Sequence, residues 1–389
     1  MQLTLPDRPA WWPSERFRSP LHSERTAAVL GIALGVTFSV CFLTGLWSHL
    51  VQHPPEWFSR PPRPAGLYRV SQGVHVATGL ASIPLLFAKL WTVYPKLFTW
   101  PPFRSVATLV ERLAILPLIG GGIFLLLTGL QNINLWYPWS FNFIYAHWWA
   151  AWLTIGALVV HVGAKITTTR RALGREPVPA DAGERAARAD RRAFLGGVAA
   201  TSGLVTLVTV GQTFAPLERL ALLAPRRPSS GPQGFPVNRT AAGAGVTETA
   251  VDPAFRLVVA GWVGTELSLS IDDLRAMPLR EAVLPIACVE GWSASKRWRG
   301  VPVGDLLEMA GADRRSAVRV QSLQRRRAYR ASDLQAQESA DADTLLALDV
   351  EVDGELVPLD LDHGYPLRLI APNRPGVLQT KWVTRLVVR

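Results

Sequence analysis

The chain has 389 residues, enough for two or three domains. Hydrophobic residues make up 49% of it, and the formal net charge is +11. This basic excess does not predict nucleic-acid binding, because no basic patch interleaved with aromatic residues appears and membrane proteins need basic cytoplasmic loops. The two cysteines, Cys41 within an apolar run and Cys288, exclude a disulfide framework.

Five uncharged apolar runs precede residue 218, and each approaches or exceeds the roughly 20 residues that cross a membrane. The runs are Ala27–Leu50, Val70–Ala88, Leu113–Leu130, Phe141–Ala164 and Ala193–Leu217. They predict an all-α transmembrane bundle of five spans, surrounded by the lipid of a bacterial cell membrane and preceded by a short segment, 1–26.

The connection between the fourth and fifth runs is rich in basic residues. They are Lys165, Arg170, Arg171, Arg175, Arg185, Arg188, Arg191 and Arg192. Basic connections stay in the cytoplasm, so we expect a cytoplasmic amino terminus and an extracytoplasmic region after Leu217. Residues 51–69, with three arginines and one glutamate, mildly favour the opposite orientation. The connection between the fourth and fifth runs carries the larger positive charge, so we follow its orientation.

The fifth run begins Arg191-Arg192-Ala193-Phe194-Leu195, which resembles the twin-arginine export signal. An ordinary basic flank is the alternative, but the Phe and Leu stand in the register of the signal. That pathway exports folded domains, as a cofactor inserted before export requires. We therefore expect 171–217 to hold the basic loop, the signal and the fifth helix, and 218–245 to be a linker rich in Pro, Gly, Ser and Ala.

Histidines in or at the spans are His49, His75, His147 and His161. An imidazole in hydrocarbon is costly unless it is paired or bound to a metal. His147 and His161 lie fourteen residues apart, which places them about 40° apart around one helix and roughly 21 Å apart along it. His75 lies at a depth similar to His147, so a b-type haem between these two is predicted. Hydrogen bonds between helices are the alternative.

Residues 27–170 resemble the cytochrome b membrane subunits of formate dehydrogenases and hydrogenases, whose fourth helix carries two histidines at this spacing. The resemblance implies a four-helix cytochrome b-like domain that exchanges electrons with the quinone pool or a membrane electron carrier. In that family the inner haem takes a second ligand from the start of the first helix, where this chain has Ala27, Ala28 and Gly31. One haem is therefore expected, with His161 as a ligand only if a second is bound.

Residues 246–389 read as a mixed α+β, β-rich domain. Its strand candidates are Phe255–Val263, Ala317–Ser322, Leu346–Val352, Leu367–Ala371 and Trp382–Val388. Asp353-Gly354 predicts a hairpin turn, Ser270 and Asp273 a capping box, and Val303–Ala310 a second short helix.

Four ordered motifs in this region resemble the sulfite oxidase fold family, whose members bind one molybdopterin. They are Cys288-Val-Glu-Gly-Trp292, Trp298-Arg-Gly-Val-Pro302, His363-Gly-Tyr-Pro-Leu-Arg368 and Lys381-Trp382-Val383. The resemblance implies that Cys288 is the catalytic thiolate ligand of molybdenum, a soft ligand that suits this metal. A small buried hydrophobe is the alternative for a lone cysteine. The other implied molybdopterin contacts are Asn238, Ser322, His363, Arg368, Gln379, Thr380 and Lys381.

The substrate remains open between branches of this family. Sulfite oxidases carry an arginine five residues after the metal cysteine, where this chain has Ser293. Glu290-Gly-Trp resembles instead the catalytic subunits of periplasmic methionine sulfoxide reductases, although those have Asn where this chain has His363. A small-molecule S- or N-oxide is the expected substrate. Oxidation of a small anion such as sulfite and a non-catalytic membrane electron carrier are the alternatives.

Overall fold

The structure, a computed structural model, describes residues 19–97, 106–174, 182–210, 215–224, 226–326 and 328–389. Most of the predicted segment 1–26, the basic residue Arg175 and part of the predicted end of the fifth span lie outside the described residues. The chain divides into two compact units. Met1–Leu43 and Val74–Val208 form the first, while Thr44–Gly73 and Thr209–Arg389 form the second.

The five predicted spans are confirmed as helices long and apolar enough to cross a membrane by length and composition. They are α1 (Glu24–Gln52), α2 (Leu67–Leu97), α3 (Val106–Ile133), α4 (Phe143–Gly174) and α5 (Ala182–Val210). Helix α5 begins before the predicted start at Ala193, because the preceding residues are mostly Ala, Arg and Glu, all good helix formers. A Cβ at Gly121 would lie 2.1 Å from the Thr154 hydroxyl, so this glycine permits close packing of α3 on α4.

Two five-stranded sheets form the carboxyl-terminal part of the second unit. Their strands are β1 (Leu257–Gly261), β2 (Leu267–Leu269), β3 (Arg280–Ala287), β4 (Ser293–Pro302), β5 (Val318–Ser322), β6 (Ala331–Leu334), β7 (Leu345–Val352), β8 (Glu355–Pro358), β9 (Arg368–Ile370) and β10 (Val383–Val388). The first sheet has the order β2-β1-β10-β5-β6, with β1 parallel to β10. The second has the order β3-β4-β7-β8, and β9 pairs with β7.

Short helices precede the first strand or connect later ones. They are α6 (Ala241–Ala244), α7 (Thr247–Ala250), α8 (Ile271–Ala276), α9 (Val303–Met309) and α10 (Ala336–Ala340). The capping box at Ser270 and Asp273 is present, and the predicted helix after Pro302 ends at Met309. The mixed, sheet-rich class expected for this region is confirmed.

Strand β7 explains where the core lies. Leu346 and Leu348 belong to a buried hydrophobic cluster that draws on both sheets, whereas Leu345 and Ala347 belong to a second cluster that includes Cys288. Successive side chains of a strand point to opposite faces, so this strand is buried on both. The second sheet therefore separates the main core from the cluster around the cysteine.

Strands β2, β3, β4 and β6 were not predicted. Strand β4 carries the charged residues Lys296, Arg297 and Arg299 around the buried Trp298, and β3 contains Pro285. Strand β3 nevertheless pairs with β4 along its whole length, from Arg280 opposite Gly300 to Ala287 opposite Ser293. The missed hairpin is the element that presents Cys288.

The segment Thr44–Gly73 packs on the sheet-rich part through buried ionic groups. The Arg60 guanidinium donates to Glu338 at 2.6 Å, and Arg374 donates to the other oxygen of the same carboxylate at 2.8 Å. All three side chains are almost fully buried. Arg63 pairs at the surface with Asp341 and Asp343. These contacts join the connection between the first two spans to the β-rich part.

Candidate active site around Cys288

Cys288 opens the five-residue loop that joins β3 to β4. The Cys288 N–H donates to the Trp292 carbonyl at 2.9 Å, and the Gly291 N–H donates to the Cys288 carbonyl at 3.1 Å. Gly291 has φ +86°, a left-handed conformation that glycine adopts at little cost. The Cys-x-x-Gly-Trp spacing thus has a local cause, which is a tight loop that turns the cysteine into the interior.

The Cys288 sulfur is fully buried and receives two hydrogen bonds. The Asn238 side-chain amide lies 3.0 Å from it, and the Glu290 N–H lies 3.4 Å from it. Burial raises the pKa of the thiol to about 12, and the Glu290 charge adds to this effect, while the two donors oppose it. N–H donors aimed at a buried sulfur stabilise a thiolate, the form that binds metals.

Glu290 lies beside the sulfur with its carboxylate already engaged. Its oxygen accepts from the Trp292 indole at 3.2 Å and lies 3.5 Å from the Arg226 guanidinium. Burial raises the pKa of this carboxyl, and Arg226 and Trp292 oppose the shift. Arg226 also donates to the Val237 carbonyl, so the predicted linker contributes a cation next to the cysteine loop.

A second group of predicted residues meets at the turn around His363 and Gly364. The Arg368 guanidinium donates to the His363 carbonyl at 3.0 Å. The Lys381 ammonium donates to the Asp362 carbonyl at 2.8 Å and to the Arg239 carbonyl. A Cβ at Gly364 would lie 3.1–3.3 Å from the Lys381 and Arg368 side chains, and its φ of +116° also favours glycine. The glycine therefore lets both cations approach the same turn.

Arg368 is buried and Lys381 is half-buried, and the pKa values of both are lowered. Burial is the main cause that lowers the pKa of Lys381 to about 7. The charge of Arg368 acts in the same direction, and the charge of Asp362 opposes it. Burial lowers the pKa of Arg368 to about 9, and Cys288 opposes that shift. The Arg368 Nε is buried without a hydrogen-bond partner among the described residues. A buried guanidinium with an unused donor, next to a half-buried ammonium, fits an anionic ligand such as the phosphate of molybdopterin.

His363 has a different environment from the one expected. Its ring stacks on Phe235 with centroids 3.6 Å apart, and its nitrogens lie 3.1 Å from the Phe235 carbonyl and 3.2 Å from the Gln233 amide oxygen. Burial lowers the pKa of this imidazole to about 3, helped by Arg368 and Lys381. These contacts hold residues 233–235 beside the turn. A direct bond from His363 to the pterin stays a prediction.

Of the other predicted contacts, Gln379 and Thr380 lie in the segment before β10, and Ser322 is the last residue of β5. The Ser322 hydroxyl donates to the Lys381 carbonyl at 2.7 Å, and Thr380 bonds Ser332 through its hydroxyl at 2.7 Å. The Gln379 amide donates to the carbonyls of Ala371 and Arg374, and its buried Oε1 has no partner among the described residues. Ser322 and Thr380 therefore support the Lys381 segment, and their contact with a cofactor stays a prediction.

The first unit brings together two of the predicted histidines. The rings of His75 on α2 and His147 on α4 have centroids 6.3 Å apart. The His75 Nδ1 lies 2.8 Å from the Cys41 carbonyl, and the His147 Nδ1 lies 2.8 Å from the Thr128 hydroxyl. Histidines that bind metals use the second ring nitrogen in this way. His161 lies on the same helix as His147, roughly 21 Å further along its axis, outside this pair.

Several residues at the site escaped sequence reasoning. Arg226 and Phe235 lie in the stretch that composition assigns to a linker, and Gln72 of α2 donates to the Val289 carbonyl at 3.3 Å. A polar Gln at the edge of an apolar span was the one available signal, because an amide in such a place needs a partner.

Comparison with known proteins gives a family match for the β-rich part of the chain. Residues 244–389 match the family profile of the oxidoreductase molybdopterin binding domain. The chain is 32% identical over 143 residues to the "Putative protein-methionine-sulfoxide reductase subunit YedZ1" of Azospira oryzae, covering 36% of this chain and 50% of the relative. It is 30% identical over 164 residues to mitochondrial sulfite oxidase of Mus musculus, covering 36% of this chain and 30% of that protein.

Among solved structures, the sulfane dehydrogenase SoxCD of Paracoccus pantotrophus aligns with a TM-score of 0.31 and 23% identity, over 36% of this chain and 40% of that chain. The chain thus spans half or less of the length of each of these relatives.

Proposed function

We propose, from the premise that residues 244–389 are an oxidoreductase molybdopterin binding domain, that the chain is a membrane-anchored molybdenum-dependent oxidoreductase. The observation that supports this most is the buried Cys288 sulfur with N–H donors from Asn238 and Glu290. Buried Arg368 and half-buried Lys381 supply the positive charge that an anionic cofactor needs. The bound cofactor would supply the molybdenum at which an oxygen atom and two electrons are exchanged with a substrate.

Each of the main site residues then has a defined role. Cys288 would bind the metal through sulfur. Coordination would keep that sulfur deprotonated, and the two N–H donors would orient it. Arg368 and Lys381 would bind the phosphate by charge-assisted hydrogen bonds. His363 would hold the segment around Phe235 against the turn that carries both cations.

We further propose one b-type haem between His75 and His147. Histidine–metal bonds are roughly 2 Å long, and the ring centre lies about 1 Å beyond the nitrogen. Two histidines that would hold one iron between them therefore have centroids about 6 Å apart. The observed 6.3 Å fits this value. Because Nδ1 of each ring faces a carbonyl or hydroxyl, Nε2 is the atom that would face the iron. The haem would pass single electrons between the molybdenum site and the quinone pool.

The substrate that fits the site best is a neutral S- or N-oxide. Ser293 stands where sulfite oxidases carry an arginine, so that cation is missing from the loop. Arg226 lies close by, but Glu290 neutralises it at 3.5 Å. An anion such as sulfite would therefore meet little unmatched charge beside the cysteine loop. Oxidation of a small anion, with electrons passed inward, is the second candidate, supported by the similarity to sulfite oxidase.

Two measurements on the purified full chain test the enzyme proposal. Metal analysis should find molybdenum, and its absence would favour a non-catalytic electron carrier. The protein should reduce S-oxides and N-oxides with a reduced viologen as electron donor, while sulfite should not reduce an oxidised dye in its presence. The reverse pattern would establish the second candidate.

The topology proposal gains support from the segment Thr44–Gly73. It forms one compact unit with Thr209–Arg389, and four spans lie between the two segments. Four crossings return the chain to the side of the membrane from which it left. Both segments of the second unit can therefore lie on one side, the side that the first span reaches. Arg60 and Arg63 are matched by carboxylates of the β-rich part, which explains why this connection is basic. We propose that both segments are extracytoplasmic.

Replacing Arg191 and Arg192 by lysine tests twin-arginine export. The double substitution keeps the charge, so positive-inside orientation alone predicts normal topology. The export receptor reads the guanidinium pair, so export through it predicts that the β-rich domain stays inside. Protease added to spheroplasts should cut the parent domain and spare the variant; equal cleavage would refute this route.

A further inference from the structure

One peptide group links the cysteine sulfur to a glutamine of the second membrane helix. This is the peptide between Val289 and Glu290. Its N–H donates to the Cys288 sulfur at 3.4 Å, and its carbonyl accepts from the Gln72 side-chain amide at 3.3 Å. The Gln72 side-chain amide and the Cys288 sulfur are therefore joined through a single polarisable peptide group.

The position of Gln72 is fixed by a buried polar network at the ends of α1 and α2. The Ser48 hydroxyl donates to the Gln72 Oε1 at 3.2 Å and lies 3.1 Å from the Tyr68 hydroxyl. The Gln52 amide donates to the Ser48 hydroxyl at 3.0 Å. Because its oxygen is held by Ser48, the Gln72 amide presents its N–H₂ side to the Val289 carbonyl.

The same helix end is anchored to the domain next to the cysteine loop. The Tyr68 N–H donates to Asn373 at 2.6 Å, and the Tyr68 ring packs with Val51 against Ala287, the residue before Cys288. The Asn373 amide donates back to the Pro61 carbonyl at 2.6 Å. Gln72 is thus held at the loop by contacts on both sides.

We propose that Gln72 is a positioning residue that tunes the metal ligand Cys288 through the peptide between Val289 and Glu290. Hydrogen bonds in a chain polarise one another, so the bond from Gln72 strengthens the N–H donated to sulfur. Hydrogen bonds to a metal-bound sulfur withdraw charge from it and affect the reduction potential. The inference rests on the proposed function, because it requires Cys288 to bind the metal.

Gln72→Met tests this, since methionine matches the length of the side chain and lacks the donor. The midpoint potential of molybdenum in the full chain, followed by electron paramagnetic resonance during a redox titration, should shift negative. The reason is that a sulfur with a weaker donor carries more charge and stabilises the oxidised metal. Viologen-driven turnover should fall by about tenfold, the lower end of the range for residues that support metal ligands.

Gln52→Met is the matched control, because Gln52 shares the network around Ser48 without an observed bond to the cysteine loop. It should leave the potential at the parent value. Gln72→Lys keeps a donor at the Val289 carbonyl and should not shift the potential negative. An unchanged potential in Gln72→Met, or equal shifts in both methionine variants, would overturn the inference. If Gln72→Met does not fold, a negative shift in Gln72→Lys would overturn it. Lack of molybdenum in the parent would instead refute the proposed function.

Discussion

The two candidate metal sites orient their ligands by similar means but on different scaffolds. Cys288 lies in a five-residue loop whose geometry depends on Gly291 and on a hairpin paired over eight positions. His75 and His147 lie on regular helices, where a carbonyl and a hydroxyl orient the rings. A helix provides ligand spacing through its own period, whereas a loop needs specific residues and supporting partners. The loop site should therefore be the more sensitive of the two to distant substitutions.

The largest expected effect separates the two sites completely. Cys288→Ser should reduce turnover by roughly 100-fold or more, because a hydroxyl replaces the soft thiolate poorly. The haem spectrum should stay at the parent level, since its proposed ligands belong to the other unit. Oxide reduction with a viologen donor measures the first quantity, and visible absorbance measures the second. Activity near that of the parent would contradict the role of Cys288.

The converse substitution is His147→Ala. Loss of one axial ligand should remove the b-type absorbance and abolish quinone-linked turnover, while viologen-driven turnover persists because the dye donates directly to the metal site. His75→Ala should behave in the same way, and His161→Ala should retain the haem. An unchanged spectrum in either of the first two variants would refute the pairing.

The third prediction concerns Glu338, whose buried carboxylate pairs with both Arg60 and Arg374. Glu338→Gln leaves Arg60 and Arg374 buried without the carboxylate between them, which should cost about 3–5 kcal/mol of stability. Arg63→Ala is the control, because its exposed pairs with Asp341 and Asp343 should contribute about 0–1 kcal/mol. Thermal unfolding of the full chain in detergent measures both changes. Equal losses would mean that the buried cluster contributes no more than the surface pairs.

The sequence predicted the elements whose residues repeat regularly or form local motifs. The five spans follow from length and hydropathy. The family resemblance singled out Asn238, whose amide lies 3.0 Å from the sulfur of Cys288, fifty residues away. Contact of either residue with a cofactor stays a prediction. Strands β3 and β4 were missed, because their surface-facing charges hide the pairing that Ala287 and Ser293 begin. Contacts such as that of Gln72 with Val289 join residues 217 positions apart, and no local pattern encodes them.

The smallest expected effect is a pH dependence of anion binding by Arg368 and Lys381, the two cations at the turn around Gly364. Burial lowers the Lys381 pKa from 10.5 to about 7, so the ammonium in the cofactor-free site loses its proton as pH rises through 7, whereas the unfolded chain keeps it up to about 10.5. Sulfate does not titrate in this range, and its binding requires the protonated amine. Sulfate affinity of cofactor-free full chain should therefore fall about tenfold or more from pH 6.5 to pH 8.5. Lys381→Arg keeps its charge across this window and should bind sulfate almost equally at both values. Isothermal titration of the two proteins measures this difference, and a parent affinity independent of pH would show that Lys381 does not contribute its charge to the anion site.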